Sequence, residues 1–433
     1  MSAAGEPPGG RSPGAAAPLA AWLDYIAAQH PAKIALGLER VREVMGRMGL
    51  APPPFAFTVG GTNGKGSTCA YLESILRVAG CRTGLYTSPH LLRYNERVRV
   101  AGEEAPDEAI VRGLARVEAA RAGVPLTYFE FGTLAALATF EEAAIDVAIL
   151  EVGLGGRLDA VNAIDAGCAI VSSVDLDHQA WLGDDREAIG REKAHIYRPG
   201  RPALFGDAEP PASLVEHARA IGAPLQVLGR DFRSIAHEGR QWDFEGRRGA
   251  RRALPLPALR GPWQLANAAT ALAALDEVAD RFPVSLGEVK RGLTSVRLAG
   301  RLQALPGRPQ VVLDVAHNPH AARALARGLG EMGYANRTIA VFAILADKDI
   351  AGVVEAVAAR VDRWHVATVA SERAAGADQV AAILAARGLG PATRAFATVR
   401  AAHEAALREA GPDDRILVFG SFHTVAEVLE LPR

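Results

Sequence analysis

One stretch near the N-terminus restricts the possible folds more than any other part of the sequence. A short apolar run at Phe55–Val59 is followed by a loop of small residues at 60–67. A helical pattern then runs from Ser67 to Ala79, and Gly80 can close that helix in a left-handed conformation. A strand, a glycine-rich loop and a helix in this order are typical of an α/β domain with a parallel sheet.

Apolar runs of strand length recur along the chain in two groups. The first group is Asp146–Leu150 and Ala169–Val174, and runs of this kind without a polar face belong to parallel sheets covered by helices. The second group lies in the last third of the sequence, at Val311–Val315, Ile339–Ile344, Trp364–Thr368 and Ile416–Phe419. We predict an α/β fold in which an N-terminal P-loop ATPase-like parallel-sheet domain is followed by a smaller C-terminal Rossmann-like domain.

The predicted domain limits follow from these two groups. Residues 1–20 are expected to form a disordered tail, residues 21–297 the first domain, and residues 298–433 the second. A cleft between the two domains is the expected ligand site. Residues 199–262, rich in Pro and Gly, contain only short β-like pieces and indicate an elaboration at the sheet edge. This part contains a basic group, Arg247, Arg248, Arg251 and Arg252.

That basic group has two interpretations. A solvated turn is the ordinary one, and attraction of an anionic polymeric ligand is the alternative. The net charge of the chain is −1, so the protein as a whole has no general attraction for nucleic acid or anionic membranes. We expect neither partner. Three cysteines without paired spacing, no apolar run long enough for a signal peptide and no membrane span favour the cytoplasm: Cys69, Cys81 and Cys168.

The glycine-rich loop is suited to binding nucleotide phosphates. Backbone N–H groups of small residues can turn towards phosphate oxygens, and the following helix adds the positive end of its dipole. Lys65 would bridge the outer phosphates. The loop departs from the common P-loop because Val59 replaces its first Gly and Gly66 separates Lys65 from the hydroxyls that follow. A chance glycine turn is the alternative. The candidate residues are Thr62, Asn63, Gly64, Lys65, Gly66 and Ser67.

Polar residues at two strand ends indicate a metal site. Glu151 ends the run Asp146–Leu150, and Asp177 and His178 follow the run Ala169–Val174. In parallel sheets ligands bind outside the carboxyl ends of strands, so we expect these groups to emerge side by side and to suit Mg²⁺. An ordinary strand-end acid and a structural histidine are the alternatives. Lys193 lies on a polar helical face and, by its position alone, indicates a solvated side chain.

The second half adds weaker candidates. Asp314 ends the strand Val311–Val315, and His317 lies in the turn that follows. Asn267, early in a predicted helix, and Arg301, near the domain boundary, could each reach a nucleotide. Each of these four residues also has an ordinary structural interpretation.

Taken together, these motifs resemble the Mur ligase superfamily, and within it the bifunctional dihydrofolate synthase / folylpolyglutamate synthase family of bacteria. The resemblance extends from Trp22 to Leu429. The segments that carry it are Leu36–Val41, residues 61–67, Thr87–Leu91, Thr127–Glu130, Glu151–Asp159, Asp177–His178, Gly190–Lys193, Gly300–Arg301, Asp314–His320 and Gly420–Thr424.

The resemblance implies a role for each group of candidates. Thr62 to Lys65 would hold the ATP phosphates, and Lys193 would carry a carbamate derived from CO₂, which replaces its solvated interpretation. The Mg²⁺ ligands, for two expected sites, would be Ser88, Glu151 and His178, with a monovalent cation as a further possible ion. Nucleotide contacts would come from Asn267, Arg301 and Asp314. Dihydropteroate would bind at Gln29, His30, Thr127, Tyr128, Phe129, Glu130, Leu158, Asp159 and Ala160.

The implied reaction is ATP-dependent ligation of L-glutamate to 7,8-dihydropteroate or to the γ-carboxylate of a reduced folate. The first domain would bind ATP and pterin, the second would be the glutamate ligase domain, and His317 would assist the amine. We expect a monomer. Three alternatives are a UDP-sugar-dependent peptidoglycan ligase, a monofunctional polyglutamylating enzyme and a non-catalytic nucleotide-binding switch. The short sequence before Gly60 argues against the first, and the dihydropteroate-like positions argue against the second. The combination of loop, metal ligands and Lys193 argues against the third.

Overall fold

The computed structural model describes residues 12–14, 16–238 and 241–431. Its contacts divide the chain into two compact units. The first unit contains the chain through Val174, His178–Leu256 and Ala266–Ser295, and the second contains Asp175–Asp177, Pro257–Leu265 and the chain from Val296 onward. Two short segments therefore belong to the second unit although the first unit surrounds them in sequence. The predicted single boundary between residues 297 and 298 stays a prediction.

The first unit is built on an eight-stranded sheet with the order β4-β3-β2-β5-β1-β6-β7-β8. Its strands are β1 (Ala56–Gly60), β2 (Thr83–Tyr86), β3 (Val98–Val100), β4 (Glu103–Glu104), β5 (Val147–Glu151), β6 (Cys168–Val171), β7 (Ala203–Phe205) and β8 (Leu225–Val227). In this sheet order, the neighbouring strands β2, β5, β1, β6, β7 and β8 all pair in parallel. Strands β3 and β4 add an antiparallel edge beside β2. Strand β1 lies between β5 and β6, so the loop after β1 emerges between the ends of two buried strands.

Helices pack around this sheet, and all of their residues belong to the first unit except Trp263–Leu265 at the start of α9. They are α1 (Leu19–Ala27), α2 (Glu39–Met48), α3 (Lys65–Val78), α4 (Asp107–Arg121), α5 (Tyr128–Glu142), α6 (Gln179–Leu182), α7 (Arg186–Ala194), α8 (Ala212–Ala220), α9 (Trp263–Glu277) and α10 (Leu286–Ser295). Helix α3 ends as expected, because Gly80 has a φ of +90° and its N–H donates to Arg77 O. Helix α1 begins at Leu19, inside the segment predicted as a disordered tail. Residues 1–11 and 15 of that segment lie outside the described residues.

A separate antiparallel sheet contains the basic group. Its strands are β9 (Arg233–His237), β10 (Gln241–Gly246) and β11 (Gly249–Pro255). Each of the four arginines has a carboxylate partner, in the pairs Arg247–Glu277, Arg248–Asp280, Arg251–Asp276 and Arg252–Asp243. Because these carboxylates balance the positive charge of the arginines, the structure favours the ordinary interpretation of the basic group over attraction of an anionic polymer.

The second unit is a six-stranded sheet with the order β12-β13-β17-β14-β15-β16. Its strands are β12 (Gln303–Leu305), β13 (Gln310–Leu313), β14 (Thr338–Phe342), β15 (Arg363–Ala367), β16 (Thr393–Phe396) and β17 (Arg415–Phe419), and its helices are α11 (Pro319–Glu331), α12 (Ile350–Val357), α13 (Ala377–Ala385), α14 (Val399–Glu409) and α15 (Phe422–Leu429). Only β12 pairs antiparallel. The rings of Phe342, Trp364 and Phe419 pack together in its core.

The predicted α/β fold, with a large parallel sheet and a second, smaller sheet, is confirmed. The predicted buried strands all form, each within one to three residues of its expected limits. The sequence did not reveal β12 and β16, which are short edge strands with partly exposed side chains. It also did not reveal β2, β3, β4 and β7, of which β2 and β7 are short and fully buried. No helix in the described part of the chain is both long and apolar enough to cross a membrane.

Candidate active site

The loop between β1 and α3 is attached to the end of β6. Ser173 O accepts the Thr62 N–H at 2.8 Å, and Ser173 Oγ accepts the Asn63 N–H at 3.1 Å. The hydroxyl of Ser172 donates to Asn63 O at 2.6 Å. These bonds use the backbone N–H groups of Thr62 and Asn63 to hold the loop itself. The residues Ser172 and Ser173 were missed in the sequence, although their position at a strand end next to β1 is the signal that could have found them.

Two glycines let the loop pass close to its neighbours. Gly61 has a φ of +142°, and a Cβ there would overlap the Ser172 hydroxyl. Gly64 has a φ of +87°, and a Cβ there would lie 2.6 Å from Asn267 Oδ1. The structure therefore brings the predicted nucleotide residue Asn267 against the loop.

Helix α3 begins directly after Gly64, and its first turn faces the region in front of the loop. The first helical hydrogen bond runs from Thr68 N to Gly64 O, so the N–H groups of Lys65, Gly66 and Ser67 precede the helical ladder. N–H groups at this position bind phosphate oxygens well, because they converge and lie at the positive end of the helix dipole. The anion-binding part of the loop thus corresponds to its second half.

Two lysines converge on one carbonyl of the loop. Lys65 Nζ donates to Gly61 O at 3.1 Å, and Lys193 Nζ donates to the same oxygen at 3.0 Å. Lys193 is only 4% exposed, so its interpretation as a solvated side chain is wrong. The reason is a loop that helical periodicity cannot reveal: Gly156 packs on the Lys193 backbone, and Arg157 N donates to Glu192 O at 3.0 Å.

Ser88 and Glu151 are adjacent. Strands β2 and β5 pair in parallel, and their carboxyl ends bring the Ser88 N–H to 3.2 Å from Glu151 Oε2. Glu151 is buried, and a buried carboxylate next to a hydroxyl residue supplies the hard oxygen donors that Mg²⁺ prefers. Among the described residues no three His, Cys, Asp or Glu side chains group closely enough to hold a metal by themselves. Mg²⁺ commonly needs only one or two carboxylates together with substrate phosphates, so the pair still fits this ion.

The other predicted metal segment follows a strand that is not adjacent to β5. Strand β1 separates β5 from β6, so the residues after β6 leave the sheet on the far side of the phosphate loop. His178 is exposed and has a φ of +53° at the start of α6. A positive φ is uncommon for histidine and directs the chain sharply. Asp175–Asp177, one residue earlier, belong to the second unit.

The predicted acceptor segment Thr127–Glu130 is the beginning of α5. Thr127 Oγ1 accepts the Glu130 N–H at 3.3 Å, and Glu130 Oε2 accepts the Thr127 N–H at 2.8 Å, which together form a capping box. Both oxygens of Glu130 also accept from Arg40. Glu130 is therefore held in place by the protein itself.

Aromatic rings surround this helix start. Tyr128 lies 6.0 Å from the Tyr94 ring and Phe129 lies 5.8 Å from the Tyr86 ring, measured between centroids. Burial raises the pKa of Tyr86 to about 12, with the Arg97 charge as the largest opposing effect, so its hydroxyl is neutral. The guanidinium of Arg97 lies over the Tyr94 and Tyr128 rings. Such an apolar aromatic wall suits a planar aromatic ligand.

The loop after β5 closes against the same region. The Phe129 ring lies 2.7 Å from the position that a Cβ of Gly153 would take. Asp159 is buried, and its carboxylate accepts the N–H groups of Gly153, Leu154 and Val161 at 2.9–3.0 Å. Burial raises the pKa of Asp159 to about 6 against the opposing effect of these bonds. Leu158 O accepts the Gly37 N–H at 3.2 Å, and Ala160 is buried at the start of a 3₁₀ helix.

Gln29 and His30 follow the end of α1. Gln29 is buried, its Oε1 accepts from Arg121 Nη2 at 2.8 Å, and its Nε2 donates to Tyr25 O at 3.0 Å. His30 Nδ1 lies 3.0 Å from the Ala32 N. In this conformation the Gln29 amide fixes the end of α1 to α4.

In the second unit, His317 lies within a polar cluster. His317 Nδ1 lies 2.8 Å from Val315 O, which fixes the proton on that nitrogen, and Nε2 lies 3.5 Å from Asp177 Oδ2. Asp177 also accepts from Asn318 Nδ2 at 3.0 Å and from Lys348 Nζ at 2.6 Å. Asp177 is thus bound to residues of the second unit.

Arg301 and Asp314 occupy the same edge of this second sheet. The Arg301 guanidinium lies 5.2 Å from the centroid of the Phe422 ring, and His317 lies 6.4 Å from it. Asp314 is buried and accepts the N–H groups of Leu302 and Ala316 at 2.8 Å. Lys348, Asn318 and Phe422 were missed as site residues. Their positions after β14, β13 and β17 are the signal, because the carboxyl ends of parallel strands meet at one edge.

Comparisons with known proteins agree with this arrangement. A family model described as "Mur ligase, glutamate ligase domain" matches residues 300–422. The chain is 48% identical over 422 residues to the dihydrofolate synthase/folylpolyglutamate synthase of Escherichia coli (strain K12), which covers 97% of each chain. It is 40% identical over 433 residues to the protein of the same name from Haemophilus influenzae, covering 95% of this chain and 97% of that one.

Solved structures give the same result. The E. coli FolC in complex with DHPP and ADP has a TM-score of 0.92 and 47% identity and covers 97% of this chain and 98% of its own. A bifunctional folylpolyglutamate synthase/dihydrofolate synthase with Mn, AMPPNP and L-glutamate bound has a TM-score of 0.89 and 45% identity and covers 97% of this chain and 99% of its own. The phosphate loop, the Ser88–Glu151 pair and the cluster of the second unit therefore belong to a member of the dihydrofolate synthase/folylpolyglutamate synthase family.

Proposed function

We propose that the protein is an ATP-dependent amide ligase that adds L-glutamate to 7,8-dihydropteroate and further L-glutamates to the γ-carboxylate of reduced folates. The observation that carries this proposal is the convergence of Lys65 and Lys193 on Gly61 O. The Lys65 ammonium at the phosphate loop suits a reaction in which two anions, a carboxylate and a triphosphate, must approach each other, and Lys193 beside it would carry the modification described below. The naming of relatives at 48% and 40% identity supports both activities.

ATP is the expected nucleotide, and the ADP and AMPPNP complexes of related structures support it. Its phosphates are proposed to bind at the start of α3, from Gly64 to Ser67, with the Lys65 ammonium on the outer phosphates. Thr62 and Asn63 would shape the loop through Ser172 and Ser173. Asn267 would line the same site, and Arg301 and Asp314 stay proposed nucleotide contacts from the family resemblance.

A divalent ion is the expected cofactor, since a related structure contains Mn. We propose Mg²⁺ at Ser88 and Glu151, with His178 as a further ligand and with two ions in the loaded enzyme. When bound, Mg²⁺ offsets the negative charge of the reacting phosphates. A monovalent cation remains a proposal from the family resemblance.

Lys193 is proposed to carry a carbamate. The ammonium group first loses one proton, and the neutral amine then attacks the carbon of CO₂ and loses a second proton, so that a carboxylate-like anion replaces a cation. The buried position of Lys193, whose Nζ shares the Gly61 carbonyl oxygen with Lys65 Nζ, is the observation that supports this modification. The product would lie beside Lys65 and supply oxygen ligands to the metal site.

The proposed reaction has two steps. A carboxylate oxygen of the acceptor attacks the γ-phosphorus of ATP, ADP leaves, and an acyl phosphate forms while Lys65 stabilises the transferred charge. The amine of L-glutamate then attacks the acyl carbon, loses a proton, and expels phosphate together with the former carboxylate oxygen. His317 is the candidate for accepting that proton through Nε2, which faces Asp177. The acceptor would bind between Gln29–His30, the aromatic start of α5 and Leu158–Ala160.

Phosphate release under defined mixtures tests the proposal. Pure protein with ATP, Mg²⁺ and L-glutamate should release phosphate only after dihydropteroate or a reduced folate is added. Equal release without either acceptor would indicate a plain ATPase and overturn the proposal. We also propose that the protein is a cytoplasmic monomer that binds neither nucleic acid nor membranes, which sedimentation analysis and cell fractionation can test.

A further inference from the structure

We infer that Arg40 is a positioning residue for the acceptor site, acting through Glu130. This inference rests on the proposed function, because it assigns Arg40 to the site where dihydropteroate and reduced folates are expected to bind. Arg40 was not a candidate from the sequence, since its partner lies 90 positions further along the chain.

The contact between Arg40 and Glu130 has the geometry of a two-point ion pair. Arg40 Nη2 lies 2.7 Å from Glu130 Oε1, and Arg40 Nε lies 3.1 Å from the same oxygen and 3.3 Å from Oε2. Two N–H groups of a planar guanidinium fix the orientation of a carboxylate more strictly than one ammonium can. Arg40 therefore sets the direction of the Glu130 side chain.

Glu130 passes this constraint to the start of α5. Its Oε2 accepts the Thr127 N–H at 2.8 Å, and Thr127 Oγ1 accepts the Glu130 N–H. Both residues belong to the proposed acceptor segment, and between them lie Tyr128 and Phe129 with their aromatic neighbours. The Glu130 side chain is 4% exposed and the Arg40 side chain 25% exposed. A carboxylate so well buried and bonded acts by holding the segment in place.

Arg40 also anchors a second wall of the same site. Its Nη2 donates to Ala35 O at 2.7 Å, which fixes the segment between α1 and α2. Two residues further on, Gly37 N donates to Leu158 O at 3.2 Å. One guanidinium thus links α2, the Ala35–Gly37 segment and the start of α5, and that segment in turn bonds to the proposed acceptor residue Leu158.

Helix α5 offers a matched control at its other end. Arg112 contacts Glu142 through Nε and Nη2, at 3.1 and 2.6 Å from Oε1, with the same two-point geometry. Both of these side chains are about half exposed, at 54% and 53%. An Arg112→Ala variant therefore removes a similar ion pair from the same helix far from the acceptor segment.

The experiment compares Arg40→Ala, Arg40→Lys, Glu130→Gln and Arg112→Ala with the wild type. We expect Arg40→Ala to raise KM for dihydropteroate and for a reduced folate about tenfold or more, with KM for ATP and for L-glutamate within about twofold of the wild type. Arg40→Lys keeps the charge but loses the two-point contact, so its KM should lie between those of the wild type and Arg40→Ala. Glu130→Gln can still accept the Thr127 N–H and should resemble Arg40→Lys.

Acceptor affinity measured by calorimetric titration gives a second readout that does not depend on turnover. Equal acceptor KM and affinity in Arg40→Ala and Arg112→Ala would overturn the inference. A parallel rise of the KM values for both acceptors, ATP and L-glutamate together with a lower Tm would also overturn it, since that result indicates a general loss of packing. A wild-type protein that incorporates glutamate into neither acceptor would contradict the proposed function, and titration of the acceptor would then still decide the role of Arg40.

Discussion

Lys193 and Lys65 donate hydrogen bonds to the same atom, the carbonyl oxygen of Gly61, at 3.0 and 3.1 Å. Two ammonium groups on one acceptor repel each other, and Lys193 is buried in addition. Conversion of Lys193 to a carbamate would replace this repulsion by attraction to Lys65. The arrangement therefore relates the phosphate loop directly to the proposed modification.

A Lys193→Ala variant should lose most activity, by about 10–100-fold, because a proposed metal-supporting group is removed. Protein equilibrated with ¹³C-bicarbonate should show a carbamate resonance by NMR that is absent in this variant. Lys290→Ala, on α10, provides the control and should retain both the resonance and the activity. Normal turnover of Lys193→Ala would remove the carbamate from the account.

A comparison with Gly80 can separate two effects of a side chain at Gly64, which are the contact of its Cβ with Asn267 and the backbone strain at positive φ. Gly64 and Gly80 have φ values of +87° and +90°, but a Cβ meets Asn267 Oδ1 at 2.6 Å only at Gly64, while space at Gly80 is open. Both Gly→Ala variants should lose about 1 kcal/mol of stability. Only Gly64→Ala should also raise KM for ATP, by about tenfold or more, since the loop must move. Identical ATP kinetics in the two variants would show that the loop tolerates a Cβ.

The buried carboxyl group of Asp159 is expected to make the stability of the folded protein depend on pH. Burial raises its pKa from 3.8 to about 6 in the folded protein, so the native state binds this proton more tightly than the unfolded chain. Stability from this group is therefore lowest above about pH 6 and increases as the pH falls towards about 4, by up to about 3 kcal/mol.

The difference in Tm between the wild type and Asp159→Asn should accordingly shift in favour of the wild type between about pH 7 and about pH 4. Asp165→Asn is the control, because the Asp165 side chain is 89% exposed. Its Tm difference from the wild type should change less over the same range, because an exposed carboxylate paired with Arg198 contributes little to stability. A constant difference for Asp159→Asn as well would contradict the burial argument.

Loss of the ion pair between Asp177 and Lys348 is expected to lower the stability of the second unit strongly. The Lys348 side chain is 6% exposed, and Asp177→Ala would leave its ammonium buried beside Asn318 without this carboxylate. Removal of one partner of such a pair costs about 3–5 kcal/mol. The double variant Asp177→Ala/Lys348→Met should recover part of that loss.

Differential scanning calorimetry measures both Asp177 variants. Asp413→Ala, which removes the partner of Arg308 in an exposed ion pair, is the control and should change the free energy of unfolding by less than about 1 kcal/mol. If Asp177→Ala unfolds at the same temperature as Asp413→Ala, the buried pair does not stabilise the unit.

Most of the buried strands could be predicted from the sequence because their signal is local, whereas the short buried strands β2 and β7 were missed. Runs such as Ile339–Ile344 and Ile416–Phe419 have no polar face and end at turn residues, so length and apolarity sufficed. The position of Glu151 at the carboxyl end of β5 was also predicted, whereas its role as a metal ligand stays a prediction. Sheet order could not be obtained in this way, and for that reason β1 between β5 and β6 was not expected.

Features that depend on contacts between residues far apart in the chain could not be predicted from the sequence. The sequence indicated a solvated Lys193 side chain because the loop that buries it, at Gly156, lies 37 positions earlier in the chain. Arg40 and Glu130 show no periodicity that relates them. The segment Asp175–Asp177 belongs to the second unit although the chain on both sides of it belongs to the first. Each case is a tertiary contact, and the roles proposed for these residues await measurement.

The central claim is that one protein joins L-glutamate to two kinds of acceptor. Mass spectrometry of the products formed with ATP, Mg²⁺ and L-glutamate tests it most directly, in separate reactions with 7,8-dihydropteroate and with a reduced folate monoglutamate. We expect one added glutamate on dihydropteroate and one or more on the folate. Glutamate added to the folate with none on dihydropteroate would contradict the account.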